Sequence, residues 1–199
     1  MSTDRIVHDP AGVDPGRFYQ LLTSSIVPRP IAWVSSRSAD GVDNLSPYSF
    51  FSVSSTAPPV VQFTSVGGAK DSARNAIETG QFVINIATQD LMEKANASSA
   101  GFDSHIDEFV EADIASAPAT AVDCLRVRDS PVAIECRLER SIEVGNSVVV
   151  MGRVVALTID PAILADDGMP DYAKLAAVSR LGRMEWGLPS PTVDLDRPR

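Results

Sequence analysis

The chain has 199 residues, 44% of them hydrophobic and 22% charged, with a formal net charge of -9. That length suits one domain with a sizeable core, and the composition is that of an ordinary globular protein rather than a disordered or fibrous one. The acidity argues against nucleic acid as a partner, because an acidic surface repels phosphate backbones; an anionic ligand would need a local basic cluster.

Met1 to Pro10 carries charges and no apolar run, so no signal peptide is expected. No stretch approaches the length of a membrane span, and a cytoplasmic protein with no membrane partner is expected. Cys124 and Cys136 form no CxxC and lie among apolar residues, as buried free thiols do in a reducing compartment.

Met1 to Gly16 is rich in Pro, Gly and Asp and reads as a surface arm. A short helical turn, Phe18 to Leu22, follows and can pack Phe18, Leu21 and Leu22 inward. Pro30 to Ser36 is short, apolar and β-prone, and Asp40-Gly41 marks a tight turn. Leu45 to Val53 reads as a second strand, in which Pro47 implies an edge or a bulge that re-aims Tyr48, Ser49 and Phe50. Val60 to Ser65 makes a third strand, ended by Gly67-Gly68. Asp71 to Thr79 reads as a short helix with Gly80 just past its end, and Phe82 to Ala87 as a fourth strand. Asp90 is expected to cap the next helix, with Glu93 as its capping-box partner, and Ala95 to Asp103 to end it in a loop. Val132, Ile134, Cys136 and Leu138 alternate, which makes Val132 to Glu143 a half-buried strand. A turn at Gly145-Asn146 leads into a long apolar strand, Ser147 to Ile159, broken by Gly152. Asp166-Asp167-Gly168 is a loop and Tyr172 to Val178 a short helix. Ser179 to Trp186 then leads into a Pro-rich tail. About six strands in hairpins favour antiparallel β structure, and a closed or nearly closed barrel hides their edges.

Several chemistries have no carrier. There is no GxGxxG and no GxSxG, and the two histidines, His8 and His105, make no HExxH zinc site. No metal site is expected and no catalytic side chain is singled out; His105, beside Asp107 and Glu108, reads as a surface histidine, with a place near a bound ligand as the alternative. Gly67 to Ser72 departs from the spacing of a triphosphate loop but suits a single phosphate. Its glycines allow close backbone approach, Lys70 supplies charge, and Asp71 and Ser72 open a helix whose free N–H groups favour an anion. Arg74 and Asn75 follow on the first turn. A capped surface helix with a solvated lysine is the other reading of those residues. Asn44 to Ser52 sets hydroxyls, an amide and aromatics on one proline-kinked strand, which is either a wall for a flat heteroaromatic ligand or an amphipathic strand. Arg29, between Pro28 and Pro30, is held at a strand start, to meet a ligand carbonyl or phosphate or to make a surface salt bridge.

In this order and spacing, the stretches Val27-Pro28-Arg29-Pro30-Ile31-Ala32, Asn44 to Phe51, and Lys70-Asp71-Ser72 with Asn75 resemble the flavin reductase-like, FMN-binding split-barrel family. Gly80 to Asn85, Asp107-Glu108-Phe109, Ser130 to Ala133 and Arg180-Leu181-Gly182 extend the likeness over Tyr19 to Trp186, closer to the flavoredoxin-like branch than to dedicated two-component reductases. The resemblance implies a mainly β fold, a six-stranded antiparallel Greek-key split β-barrel with flanking short helices. A single domain over 1–199 is expected, with 1–17 as an N-terminal arm and 187–199 as a tail. The family also implies a homodimer with FMN near the subunit interface. Ser46, Pro47, Tyr48, Ser49, Phe50 and Phe51 would line the flavin ring. Lys70, Asp71 and Ser72 would hold the phosphate, with Asn75 in the same motif and Arg29 near the ring's polar edge. Asn96-Ala97-Ser98-Ser99 matches a family stretch less cleanly. The expected activity is hydride transfer from NADH or NADPH to flavin, chemistry that the cofactor itself carries. The alternative is a flavoredoxin-like electron-transfer or flavin-binding protein without nicotinamide turnover.

Overall fold

The computed structural model describes residues 4–196 and 198. In chain order its elements are α1 (Pro15–Ser25), β1 (Arg29–Pro30), β2 (Ala32–Arg37), β3 (Asp43–Tyr48), β4 (Phe51–Thr56) and β5 (Pro59–Val66). Next come α2 (Asp71–Thr79), β6 (Gln81–Ile86), α3 (Met92–Ala97), α4 (Glu108–Glu111), β7 (Ser116–Pro118) and β8 (Leu125–Val127). Two long strands, β9 (Val132–Val144) and β10 (Ser147–Ile159), precede α5 (Tyr172–Leu175), β11 (Ser179–Arg180) and β12 (Trp186–Gly187). The main sheet runs β3-β2-β6-β9-β10-β5-β4, with every neighbouring pair antiparallel. This non-sequential order is that of a Greek-key split barrel.

The main sheet has seven strands, not the six expected. Leu45 to Val53 is not one strand but parts of two, because β3 pairs with β2 whereas β4 pairs with β5. The chain leaves one edge of the sheet after Tyr48 and joins the other edge at Phe51. Pro47 sits opposite Trp33 on the edge strand β3, where a missing N–H removes no ladder bond from a second neighbour. Gly152 does not break β10; the strand continues through a register shift between Met151 and Gly152. A Cβ at Gly152 would overlap the Phe82 ring and lie 2.7 Å from the Cys136 Cβ, so the close packing of β6, β9 and β10 needs glycine there.

β2 is buried on both faces. Ala32 and Val34 join Tyr48, Phe63, Phe82, Cys136 and Val150 inside the barrel. Ile31 and Trp33 pack on the opposite side with Leu45, Leu91, Ala95 and Phe109. Phe63 meets Phe82 edge-on at 5.4 Å between centroids and Tyr48 at 4.9 Å. Ala73 and Ala76 of α2 reach the barrel cluster, so this helix is fixed against the barrel from its first turn.

The helices depart from expectation where caps and turns decide. α1 begins at Pro15, with Asp14 accepting from the Arg17 N–H, and runs on to Ser25. Phe18 and Leu21 are half-buried, but Leu22 is 47% exposed and does not pack inward. Asp90 is not a cap: it lies inside a 3-10 turn, Gln89–Leu91, that follows Thr88 and leads directly into α3. α2 matches expectation, ending at Gly80 with φ 73°. The last helix is only four residues long, because Ala176 turns left-handed at φ 47°. Ser179 to Trp186 is not a plain lead into the tail; it forms most of the β11–β12 hairpin, which adds to β1 as a small sheet. Cys124 and Cys136 are buried and free. No helix among the described residues is long and apolar enough to cross a membrane.

Candidate functional site

The turn Gly67-Gly68 holds both glycines at positive φ, 86° and 97°, and delivers the chain to Lys70. The Lys70 N–H donates to the Gly68 carbonyl at 3.1 Å, and its C=O accepts from the Arg74 N–H at 2.8 Å, which closes the first turn of α2. No side chain caps this helix. The first-turn N–H groups of Asp71, Ser72 and Ala73, and the Lys70 ammonium, find no hydrogen-bond acceptor among the described residues. Asp71 is paired with Arg74. One cation and a set of backbone donors without acceptors among the described residues therefore stand together at the start of α2, an arrangement that suits a phosphate.

Beside this point lies a cleft of about 330 Å³, walled by Asn44, Ser46, Tyr48, Lys70, Ser99 and Glu108. A polar network is buried along it. Glu108 is 6% exposed; its carboxylate accepts from the Asn44 side-chain amide at 2.7 Å and the Leu45 N–H at 3.0 Å. The Asn44 carbonyl oxygen accepts from the Ser72 hydroxyl at 2.6 Å. Ser36 receives the Asn75 amide at 3.3 Å, and the Asn75 carbonyl oxygen is buried with no partner among the described residues. Burial pushes the Glu108 carboxyl up, with the charge of Asp71 adding to it and the Leu45 and Asn44 hydrogen bonds opposing it. Burial also pushes the Tyr48 phenol up against the opposing hydroxyls of Ser72, Ser46 and Ser65, so it stays a protonated donor at neutral pH.

The cleft continues into a depression of about 230 Å³ formed by Tyr19, Pro47, Ser49, Phe50 and Thr64, sharing Ser46, Tyr48, Lys70 and Ser99 with it. Together they make one trough with aromatic and hydroxyl walls and a cation at its side. Ser46, Pro47, Tyr48, Ser49 and Phe50 all line it, as do Lys70, Asp71 and Ser72. Phe51 instead lines a neighbouring apolar groove beneath α1. Asn75 lies under the trough, 3% exposed. Arg29 is buried, and its guanidinium donates to the carbonyls of Thr23, Ile26 (2.8 Å) and Leu181 (2.8 Å), with the Ser49 hydroxyl at the edge of reach, 3.5 Å. Ser99 and Glu108 line the trough too. Each lies in a stretch that carries the family likeness, Asn96-Ala97-Ser98-Ser99 for Ser99 and Asp107-Glu108-Phe109 for Glu108, but neither is singled out as a site residue from sequence.

The fold that carries this trough is that of the flavin reductase-like split barrels. The sequence profile of the flavin reductase like domain matches residues 24–171, and the chain belongs to that family. Nitrilotriacetate monooxygenase component B from Bacillus cereus is 28% identical with a TM-score of 0.93, covering 98% of this chain and 100% of that one. The 2-nitrobenzoate 2-nitroreductase NbaA of Pseudomonas fluorescens is 27% identical with a TM-score of 0.87, covering 97% and 96%. A split-barrel-domain protein from Shewanella frigidimarina NCIMB 400, 18% identical with a TM-score of 0.85 over 94% and 96%, shares the fold.

Proposed function

We propose that the trough binds FMN and that the protein is an NAD(P)H-dependent flavin oxidoreductase. The observation that carries this reading is the Lys70 ammonium, without a partner among the described residues, beside the uncapped start of α2, at one side of a wall made by Ser46 to Phe50. FMN needs both parts: charge and N–H donors for its phosphate, and a long polar-edged wall for its ring. Tyr48 and Ser46 offer donors along that wall, and Asn75, Asn44 and Glu108 hold its floor in place from below. A flavin held there would supply a ring able to take a hydride from nicotinamide. The similarity to a monooxygenase component and to a nitroreductase supports redox chemistry on this scaffold.

The test is a visible spectrum of the protein mixed with FMN and desalted, followed by anaerobic mixing with NADH and with NADPH. A retained flavin spectrum that bleaches with either donor is the expected result. Loss of all colour on desalting overturns FMN binding. Flavin that stays oxidised with both donors leaves a flavin-binding electron carrier instead.

The active unit of this reading is a homodimer. Leu22 and Ile26, 47% and 58% exposed, overhang an apolar groove of about 340 Å³ between α1 and β4–β5, a surface suited to a second copy. Sedimentation equilibrium should give twice the monomer mass; a monomer at micromolar concentration overturns the dimer.

A further inference from the structure

A second cleft, of about 200 Å³, opens from the trough and shares Pro47, Ser49 and Ser99 with it. Ile31, Asn96, Arg180 and Trp186 complete its lining, and Arg180 is the one charged side chain among them. The Arg180 guanidinium lies 5.1 Å from the Trp186 ring centroid, and one of its nitrogens donates to the Arg183 carbonyl at 3.0 Å. Among the described residues it forms no ion pair.

The charge opposite it sharpens the point. Arg180 is the registered cross-strand partner of Arg29 on the β1–β11 ladder. Like charges directly opposed weaken a ladder. Burial pushes the Arg29 guanidinium down from its ordinary value, with Tyr19 opposing the shift and Arg180 adding to it. The hydrogen-bond partners of Arg29 are neutral carbonyls and a hydroxyl, so nothing there cancels its charge. The one acid of the hairpin, Glu185, is exposed and outside the cleft lining. In a chain of net charge -9, two arginines thus face each other without a carboxylate between them. Four of the five Arg29 N–H groups are directed at acceptors, so it chiefly contributes field; Arg180, with one bond to the Arg183 carbonyl, keeps the rest of its fork for a ligand.

We propose that the Arg180–Trp186 cleft binds the anionic group, a carboxylate or phosphate, of the substrate that meets the flavin. This rests on the FMN reading of the adjoining trough. Lys70 and Arg180 line separate parts of the connected surface, so the flavin phosphate and the second anion take different cations. Ser49, Ser99 and Asn96 supply further polar groups around the second one, with Pro47 and Ile31 as apolar walls. The same chemistry would accept an aromatic carboxylate or the phosphate of a nicotinamide nucleotide.

FMN-loaded protein is titrated with benzoate and, separately, with oxidised nicotinamide mononucleotide, which cannot reduce the flavin. Flavin absorbance and Trp fluorescence are read. In Arg180→Gln the Kd of at least one probe should rise at least about tenfold, with FMN affinity unchanged. Arg140→Ala, at an exposed position on β9 outside the cleft, should match the wild type, and Arg180→Lys should fall between. The probe that weakens identifies the source of the anion. Equal probe affinities in wild type and Arg180→Gln overturn the proposal, as does failure of both probes to bind the wild type. If FMN itself does not bind, the trough reading fails on its own. Benzoate titrated against the flavin-free protein then decides: Arg180-dependent change in Trp fluorescence sustains the cleft, and none overturns it.

Discussion

The Lys70 ammonium has no hydrogen bond or ion pair among the described residues, so removing the side chain separates binding from folding. Lys70→Ala should weaken FMN at least about tenfold while leaving riboflavin, which lacks the phosphate, unaffected. Its unfolding free energy should stay within about 0.5 kcal/mol of the wild type. Equilibrium dialysis against the two flavins and a urea melt check both halves. Glu108 gives a pH signature. Its carboxyl is raised by burial when folded, so the folded state takes up a proton more readily than the unfolded chain. Stability attributable to it is highest below the unfolded value, about 4.3, and falls as pH rises through the folded one. Glu108→Gln should flatten that decline in urea melts run from pH 4.5 to pH 8; an unchanged slope would show that Glu108 is ionised throughout. Burial also pushes Cys124 up to about 11 and Cys136 up to about 12. Neither thiol should react with iodoacetamide in the native protein at pH 8, and both should react in urea.

At the scale of elements, Arg29 acts as a tie. It joins the end of α1, through Thr23 and Ile26, to the β11–β12 hairpin, through Leu181. Arg29→Ala would leave carbonyls unpaired and lower stability by about 3 kcal/mol, even though a like-charge pair is relieved. A smaller change, below about 1 kcal/mol in a urea melt, would mean that repulsion from Arg180 offsets the bonds. Gly152→Ala should cost about 1–3 kcal/mol, because the added methyl overlaps Phe82 between strands that cannot separate. What sequence made legible follows the same division. α2 and its terminal Gly80 are local facts, and so is the Lys70-Asp71-Ser72 start. The β3–β4 break is not local: Ser49-Phe50 carries no glycine or turn pair, and the strands end there because each half pairs with a different neighbour. The opposition of Arg29 and Arg180 is equally non-local, set by a ladder between residues far apart in the chain. Asn75 belongs to the same motif as Lys70, yet its burial, which follows from α2 lying on the barrel, places it beneath the ligand wall.

For the molecule as a whole, β3 and β4 are the two edges of the sheet and are consecutive in the chain. Ser49-Phe50 spans the gap between them, with the Phe50 carbonyl accepting from the Thr64 N–H at 2.9 Å. The barrel resembles a cask whose staves are closed by a single strap rather than by a hoop, and the strap is also the wall of the trough. Any swelling of the cask must lengthen or twist that strap, so a molecule lying along Ser46 to Phe50 gauges how far apart the edges stand. Such a ligand would act as a clasp: amide exchange on FMN addition should slow most along β3 and β4, and hardly at all along β9 and β10 on the far side of the cask.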